Sequence, residues 1–267
     1  MSLLVAALLG LVEGLTEFLP VSSTGHLILV SQWLGSVDEG AKSFDIVIQL
    51  GAILAVVVHY RRLFADRLRG LVTRDPASVR LFGALAVAFL PAALVGLVLG
   101  KTIKKLLFGP LPVAAALLVG GVVMIVVEHL RAKRGVQGEL GTEHVTIKRA
   151  LLIGVGQCFA LWPGMSRSMS TIVAGQMAGL STATAAEFSF LLSVPTLGAA
   201  TVYEIYKSRD ELAHGVGGPQ MAVGLLVSFA VAWLVIAAFV RYLGRRGLAP
   251  FGYYRIALAV VVLAVSL

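Results

Sequence analysis

Residues 13–26 read EGLTEFLPVSSTGH, and residues 163–171 read PGMSRSMST. Each breaks an apolar stretch with side chains that a simple membrane-crossing helix does not carry. The first break holds two acids, a proline and a Ser-Ser-Thr-Gly run; the second holds an arginine among serines. Backbone that leaves the helix inside lipid costs several kcal/mol per unpaired group unless protein or a wet cavity covers it. Residues 1–34 and 149–180 therefore read as two re-entrant helical hairpins, each with its polar break at the tip. The plainer alternative is two pairs of short surface helices.

The composition around these breaks is that of a polytopic membrane protein. The chain has 267 residues, of which 58% are hydrophobic and 13% charged, with a mean hydropathy of +0.92. Soluble domains hold about 45–50% apolar and about 25% charged residues. This balance excludes a disordered chain, a nucleic-acid module and an ordinary cytosolic enzyme. A lone cysteine, Cys158, excludes an intramolecular disulfide and a cysteine metal cluster. The first residues lack the basic start and cleavage site of a signal peptide, so the N-terminus reads as mature sequence.

Six further stretches are long and apolar enough to cross a hydrocarbon layer of ~30 Å. They cover 44–60, 81–100, 111–130, 187–206, 219–240 and 251–267. Basic residues then set the orientation. Arg61, Arg62, Arg67, Arg69, Arg74 and Arg80 fall in one loop. Arg131, Lys133, Arg134, Lys148 and Arg149 fall in a second, and Arg241, Arg245 and Arg246 in a third. The opposite face holds Lys42, Lys101, Lys104, Lys105, Lys207 and Arg209. The richer face is expected to be cytoplasmic, with both termini outside. The net charge of +8 is thereby mostly orientation rather than a nucleic-acid signal.

The expected fold is all-α, a single membrane domain over 1–267: six transmembrane helices plus two re-entrant hairpins. A hairpin and three spans occupy 1–130, and a second hairpin and three spans occupy 149–267. Three is odd, so the second set is inverted, giving an inverted-topology repeat. At an offset of about 143 residues, Pro20 aligns with Pro163 and Ser23 with Ser166.

Glu13 and Glu17 are four residues apart and share a helix face. Ionisable residues inside a span are functional candidates by default, although Glu17 capping tip backbone is the bland reading. The pair is suited to holding a divalent cation or supplying a general base. Ser22, Ser23, Thr24 and Gly25 offer hydroxyls and close backbone approach, and a half-helix restarting there aims N–H groups at an anion. His26 lies one turn after Ser23, within reach of its hydroxyl on that spacing. Arg167, flanked by Ser166, Ser168 and Thr171, keeps its proton and presents a planar fork that fits phosphate oxygens. Its plain partner is Glu13 or Glu17. Gln49 and Ser193 read as bridges between helices, Glu128 and Glu204 as solvated span ends, and Tyr254 as part of an interfacial aromatic belt. Two such tips meeting near the midplane describe a phosphate-handling site reached from within a bilayer. A transporter or flippase of a phosphate-bearing lipid or small anion is the rival, and a structural scaffold the weaker third.

At these residues the chain strongly resembles the undecaprenyl-diphosphate phosphatases, the family associated with bacitracin resistance. The likeness runs the full length, through EGLTEFLPVSSTGH at 13–26, FDIVIQLGAILAVV at 44–57, PGMSRSMST at 163–171 and EFSFLLSVP at 187–195. Many members place Gly-Ala after Ser-Arg-Ser, where Met169 and Ser170 stand here. The resemblance implies a bacterial inner-membrane hydrolase, its site towards the periplasm, that recycles the lipid carrier of cell-wall synthesis. It implies Glu13 and Glu17 for metal or water activation, with Mg2+ or Ca2+ as cofactor. Ser23 becomes the nucleophile, His26 its acid–base partner and Arg167 the diphosphate grip. Ser22, Thr24, Ser166, Ser168 and Thr171 then bind substrate. The expected partners are an isoprenoid diphosphate lipid and membrane lipid, with a homo-oligomer allowed and no nucleic acid.

Overall fold

A computed structural model describes residues 1–35, 39–135, 138–207, 217–243 and 246–266. Arg209, Arg245 and Leu267 lie outside them, as does the side chain of Lys42. The described residues form eleven α-helices and no β-strand: α1 (Leu3–Thr16), α2 (Ser23–Trp33), α3 (Glu39–His59), α4 (Arg61–Val72), α5 (Pro76–Leu107) and α6 (Pro110–Lys133). They continue with α7 (Ile147–Cys158), α8 (Arg167–Met177), α9 (Thr182–Lys207), α10 (Gly218–Leu243) and α11 (Ala249–Ser266). The helices α5, α6, α9 and α10 are long and apolar enough to span a membrane, and α3 with α4 makes a fifth candidate bent by 72°. α1 and α11 are shorter apolar helices. The chain is a multi-pass, all-helical membrane protein.

The helices overrun the apolar stretches that mark them. α5 begins five residues before its apolar stretch because Asp75 caps it and Pro76 opens it, a pairing that favours helix initiation. The Ser78 amide and hydroxyl donate to the Asp75 carboxylate at 2.9 and 2.7 Å. These bonds hold that carboxyl below its ordinary range. The arginine-rich segment expected as loop contains α4, whose Leu63 and Phe64 pack on the core while Arg61, Arg62 and Arg69 face outward. Loop charges also have structural tasks. Arg131 donates to the Gln176 and Leu180 carbonyls around the end of α8. Glu128, expected as a solvated span end, instead accepts the Leu248 and Ala249 amides at the start of α11, where a carboxylate complements the helix dipole.

Packing interleaves the two halves of the chain. α1 lies against α10, α7 against α5, and α6 against α11. Lipid supplies no hydrophobic drive between helices, so close approach of small residues carries these contacts. A Cβ on Gly14 would stand 2.7 Å from the Ser228 carbonyl oxygen, and one on Gly154 would stand 2.6 Å from that of Ala88. Gly121 and Gly252 face each other's carbonyls in the same way, at 2.7 and 2.8 Å. The breaks after α1 and α7 are thereby brought together above a core containing Phe18, Phe188, Phe190, Met165 and Ile172.

Gly14→Ala should lower the unfolding midpoint in detergent and the yield of monodisperse protein, because the obstruction at α10 is backbone. Gly198, in α9, has nothing within 4 Å of an added Cβ. Gly198→Ala should hold or raise the midpoint, since alanine is favoured over glycine in a helix by about 1 kcal/mol.

Candidate active site

Two serines start the returning half-helices in the same way. Ser22 has φ 72° and ψ 96°, and its hydroxyl oxygen accepts the Gly25 amide at 3.3 Å. Ser166 has φ 71° and ψ 120°, and accepts the Met169 amide at 3.2 Å. Positive φ is uncommon outside glycine and concentrates at functional sites. Here it turns the chain sharply enough for α2 and α8 to begin at the tips. Their free N–H groups and positive dipole ends form an anion-binding environment.

Between the tips lies a cavity of about 130 Å³. Glu17, Ser22, Ser23 and Thr24 line it from the first tip; Ser166 and Arg167 do so from the second, beside Ala160, Pro163 and Gly164. Gln49 of α3 and Leu197 of α9 complete the wall. A buried chain of polar contacts crosses it. Ser23 Oγ donates to Glu17 Oε2 at 2.7 Å, and Arg167 Nη2 donates to Glu17 Oε1 at 2.9 Å. Arg167 Nη1 reaches the Ser189 carbonyl and hydroxyl oxygens, both at 3.1 Å. The guanidinium carbon stands 5.6 Å from the Phe18 ring centroid, within cation–π range. The expected Arg–Glu pairing is present, and Glu17 is the partner.

Other expected site residues stand behind the wall. Glu13 is fully buried on α1, and neither of its carboxylate oxygens has a hydrogen-bond partner. Ser168 and Thr171, expected to bind substrate, are absent from the cavity lining. Ser168 Oγ donates to the Phe18 carbonyl at 2.7 Å, and Thr171 Oγ1 lies 2.7 Å from Ser189 Oγ. Ser168 thereby ties the second tip to the first, and Thr171 ties α8 to α9.

His26 departs furthest from its expected place. α2 starts at Ser23, and the imidazole folds back so that Nδ1 lies 2.7 Å from the Ser22 carbonyl oxygen. A carbonyl only accepts, so Nδ1 carries the proton, and in the neutral ring Nε2 accepts the Tyr254 hydroxyl at 2.7 Å. The rings of His26 and Tyr254 stack with centroids 5.7 Å apart. The expected Ser23–His26 pair is replaced by Ser23–Glu17. Sequence reasoning also passed over Ser189, Gln49 and Tyr254 as site components. Arg255, fully buried on α11, carried the one available signal, a charge inside an apolar helix.

The described residues contain no group of three or more His, Cys, Asp or Glu side chains disposed to hold a metal. Of the two expected carboxylates, Glu17 lines the cavity and Glu13 lies one turn behind it on α1.

Residues 6–261 match the family described as bacitracin resistance protein BacA. An undecaprenyl-diphosphatase of Sorangium cellulosum is 64% identical over 259 residues, 97% of this chain and 84% of its own length. Undecaprenyl-diphosphatase 2 of Rhodospirillum rubrum is 49% identical over 265 residues, 99% of this chain and 95% of its own. An undecaprenyl-diphosphatase of Thermoanaerobacter pseudethanolicus is 46% identical over 266 residues, covering 98% and 97%.

Glu17 and Arg167 side chains are 6% and 8% exposed, so removing one strands the other. Arg167→Met should destabilise the protein by about 3–5 kcal/mol, as broken buried pairs do. The Glu17→Met/Arg167→Met double variant should recover part of that loss. Unfolding midpoints in detergent test both, and a double variant worse than Arg167→Met would refute the pairing.

Proposed function

The chain belongs to the bacitracin resistance protein BacA family, and we infer that it hydrolyses undecaprenyl diphosphate to undecaprenyl phosphate and inorganic phosphate, recycling the carrier lipid of cell-wall synthesis. The observation that carries the chemistry is the contact series Ser23–Glu17–Arg167. A hydroxyl bonded to a carboxylate is a nucleophile paired with its base. An arginine fork beside it, with two helix N-termini, meets the charge of a diphosphate.

In the reaction proposed, the terminal phosphoryl group lies between the tips and its oxygens take donors from Arg167 and the α2 and α8 amides. An oxygen bound to Arg167 competes with Glu17 Oε1 for the guanidinium. Ser23 Oγ attacks phosphorus as Glu17 takes its proton. The bond to the bridging oxygen breaks, and undecaprenyl phosphate leaves with the electron pair. That leaving group is a phosphate monoester and departs as an anion, so this first step needs no general acid, and Glu17 gives up its proton to solvent. Water then attacks the phosphoserine as Glu17 takes one of its protons and delivers it to Ser23 Oγ while the bond from Oγ to phosphorus breaks, which restores Ser23 and releases phosphate. Leu197, Ala160 and Pro163 give the apolar side of the cavity against which the first isoprene unit rests.

The residues present also fit a divalent cation. Glu13 offers two buried oxygens without partners, and Mg2+ commonly takes one or two carboxylates with substrate phosphates and waters. Glu13 and Glu17 would hold Mg2+ or Ca2+, and the ion would supply positive charge to the diphosphate.

The proposed placement is the bacterial inner membrane, with six spans, two re-entrant hairpins and the site towards the periplasm. Support comes from the unequal distribution of basic residues. Support for an inverted repeat over 1–130 and 149–267 comes from the helix order, a broken pair before each set of membrane helices. The tip serines that share positive φ are Ser22 and Ser166, one residue out of register with the Ser23–Ser166 match of the sequence.

Purified protein should release phosphate from a polyprenyl diphosphate; binding and transbilayer flux without release would make it a carrier instead. Ser23→Ala should lower turnover by about 10³-fold or more, and acid quenching of the wild type during turnover should trap phosphate on Ser23. Substantial turnover by Ser23→Ala would overturn the nucleophile assignment. Chelation should depress the wild-type rate and added Mg2+ or Ca2+ restore it, whereas Glu13→Gln should lose most of that response; an unaltered response in Glu13→Gln would remove the cation from Glu13.

A further inference from the structure

Arg255 belongs to neither tip, yet it touches both. Its side chain is fully buried on α11. Nη1 donates to the Pro20 carbonyl at 3.3 Å, and Nη2 donates to the Gly164 and Ala116 carbonyls at 2.9 and 3.1 Å. Pro20 lies in the first tip between Glu17 and Ser23, Gly164 lies in the second tip three residues before Arg167, and Ala116 is on α6. Its acceptors among the described residues are thus three main-chain carbonyls. We propose that Arg255 is a positioning residue for the phosphoryl transfer, a single guanidinium that sets the distance and angle between the two tips. This rests on the reaction inferred above.

The geometry explains why an arginine is needed. Tip carbonyls have lost their intrahelical partners, and in a membrane interior they must find donors in protein. One planar fork with several N–H groups reaches acceptors on different elements at once; an ammonium is a point charge on a flexible stem. Pro20 lies between Glu17 and Ser23, and Arg167 follows Gly164, so fixing those two carbonyls fixes the contact series across the cavity. Positional error matters here because misplacing reacting groups by about 1 Å can cost about 10²-fold in rate.

Gly120 on α6 provides the space for this side chain. A Cβ there would fall 2.9 Å from Arg255 Cζ and closer still to Nη2, and 2.9 Å from the Met169 methyl carbon. The obstructed atoms are the ends of flexible side chains rather than backbone. Gly120→Ala therefore displaces the guanidinium while keeping its charge and leaving every cavity residue unsubstituted. It also favours the helix, since alanine is the better helix former.

The test is a double-mutant cycle of Arg255→Lys and Gly120→Ala, purified in detergent and assayed for phosphate release from a polyprenyl diphosphate. Each single variant should lose about 10²-fold in kcat with KM within about threefold of wild type. The double variant should be no worse than the poorer single, because both changes act on one guanidinium. A folded single variant with kcat within threefold of wild type overturns the proposal, as do losses that multiply or that reside in KM alone. If Arg255→Lys does not fold, Gly120→Ala decides by the same kcat criterion. A second readout needs no turnover. In a Cys158→Ser background, spin labels on Thr24→Cys and Ala160→Cys should give one narrow tip-to-tip distance that broadens or shifts with Gly120→Ala. An unchanged distribution overturns the clamp, whereas wild-type protein that releases no phosphate overturns the functional reading alone.

Discussion

Backbone that leaves a helix inside a membrane must find its hydrogen bonds within the protein, and this constraint shapes everything around the cavity. The first tip meets it with donors from the second half of the chain. Ser168 serves the Phe18 carbonyl and Arg255 the Pro20 carbonyl. His26, held by Tyr254, serves the Ser22 carbonyl. In the second tip, Arg255 serves Gly164 and Ser170 serves Ser166. The first hairpin is thus completed by side chains from α8 and α11, and cross-packing of α1 on α10 and α7 on α5 places the partners where they are needed.

Backbone similarity between the tips coexists with chemical difference. Both present a left-handed serine and a helix N-terminus. Only the first carries a carboxylate bonded to a hydroxyl, and only the second carries the arginine. An anion between them meets donors on both sides but a nucleophile on one. That asymmetry suits transfer of a terminal phosphoryl group: one tip holds the oxygens while the other attacks the phosphorus. A binding site alone would need the donors and not the Ser23–Glu17 contact.

What the sequence disclosed and what it hid divide along physical lines. Charges and turn residues inside apolar stretches are costly, so Glu17, Ser23 and Arg167 stood out and proved to share one cavity. Helix ends were less legible. Hydropathy fades at Arg80 and Lys101, although the hydrogen-bonded helix runs from Pro76 to Leu107; Asp75-Pro76 was the overlooked start signal. Amphipathic α4 is too polar to register as a span, and its arginines carry a loop signature. One helical turn puts His26 within reach of the Ser23 hydroxyl, but spacing does not fix where a ring turns, and this one folds back to the Ser22 carbonyl. Partners such as the Pro20 and Gly164 carbonyls carry no side-chain signature, so the sequence shows Arg255 as a charge near the start of an apolar stretch but not its task.

The placement of His26 bears on how little acid–base machinery the reaction requires. In the first step a phosphate monoester leaves as a stable anion, and in the second the departing Ser23 oxygen takes its proton from Glu17, which already touches it. The demanding steps are deprotonating the nucleophile and neutralising the charge on the transferred group. Glu17 touches Ser23 for the first task, and Arg167 with two helix N-termini stands ready for the second. His26 is then free to serve as structure, holding the left-handed Ser22 from which α2 begins and so directing the N–H groups that meet the phosphate. A histidine stacked on Tyr254 and bonded at both nitrogens suits that work, and the Ser23 hydroxyl bonds Glu17 rather than its ring.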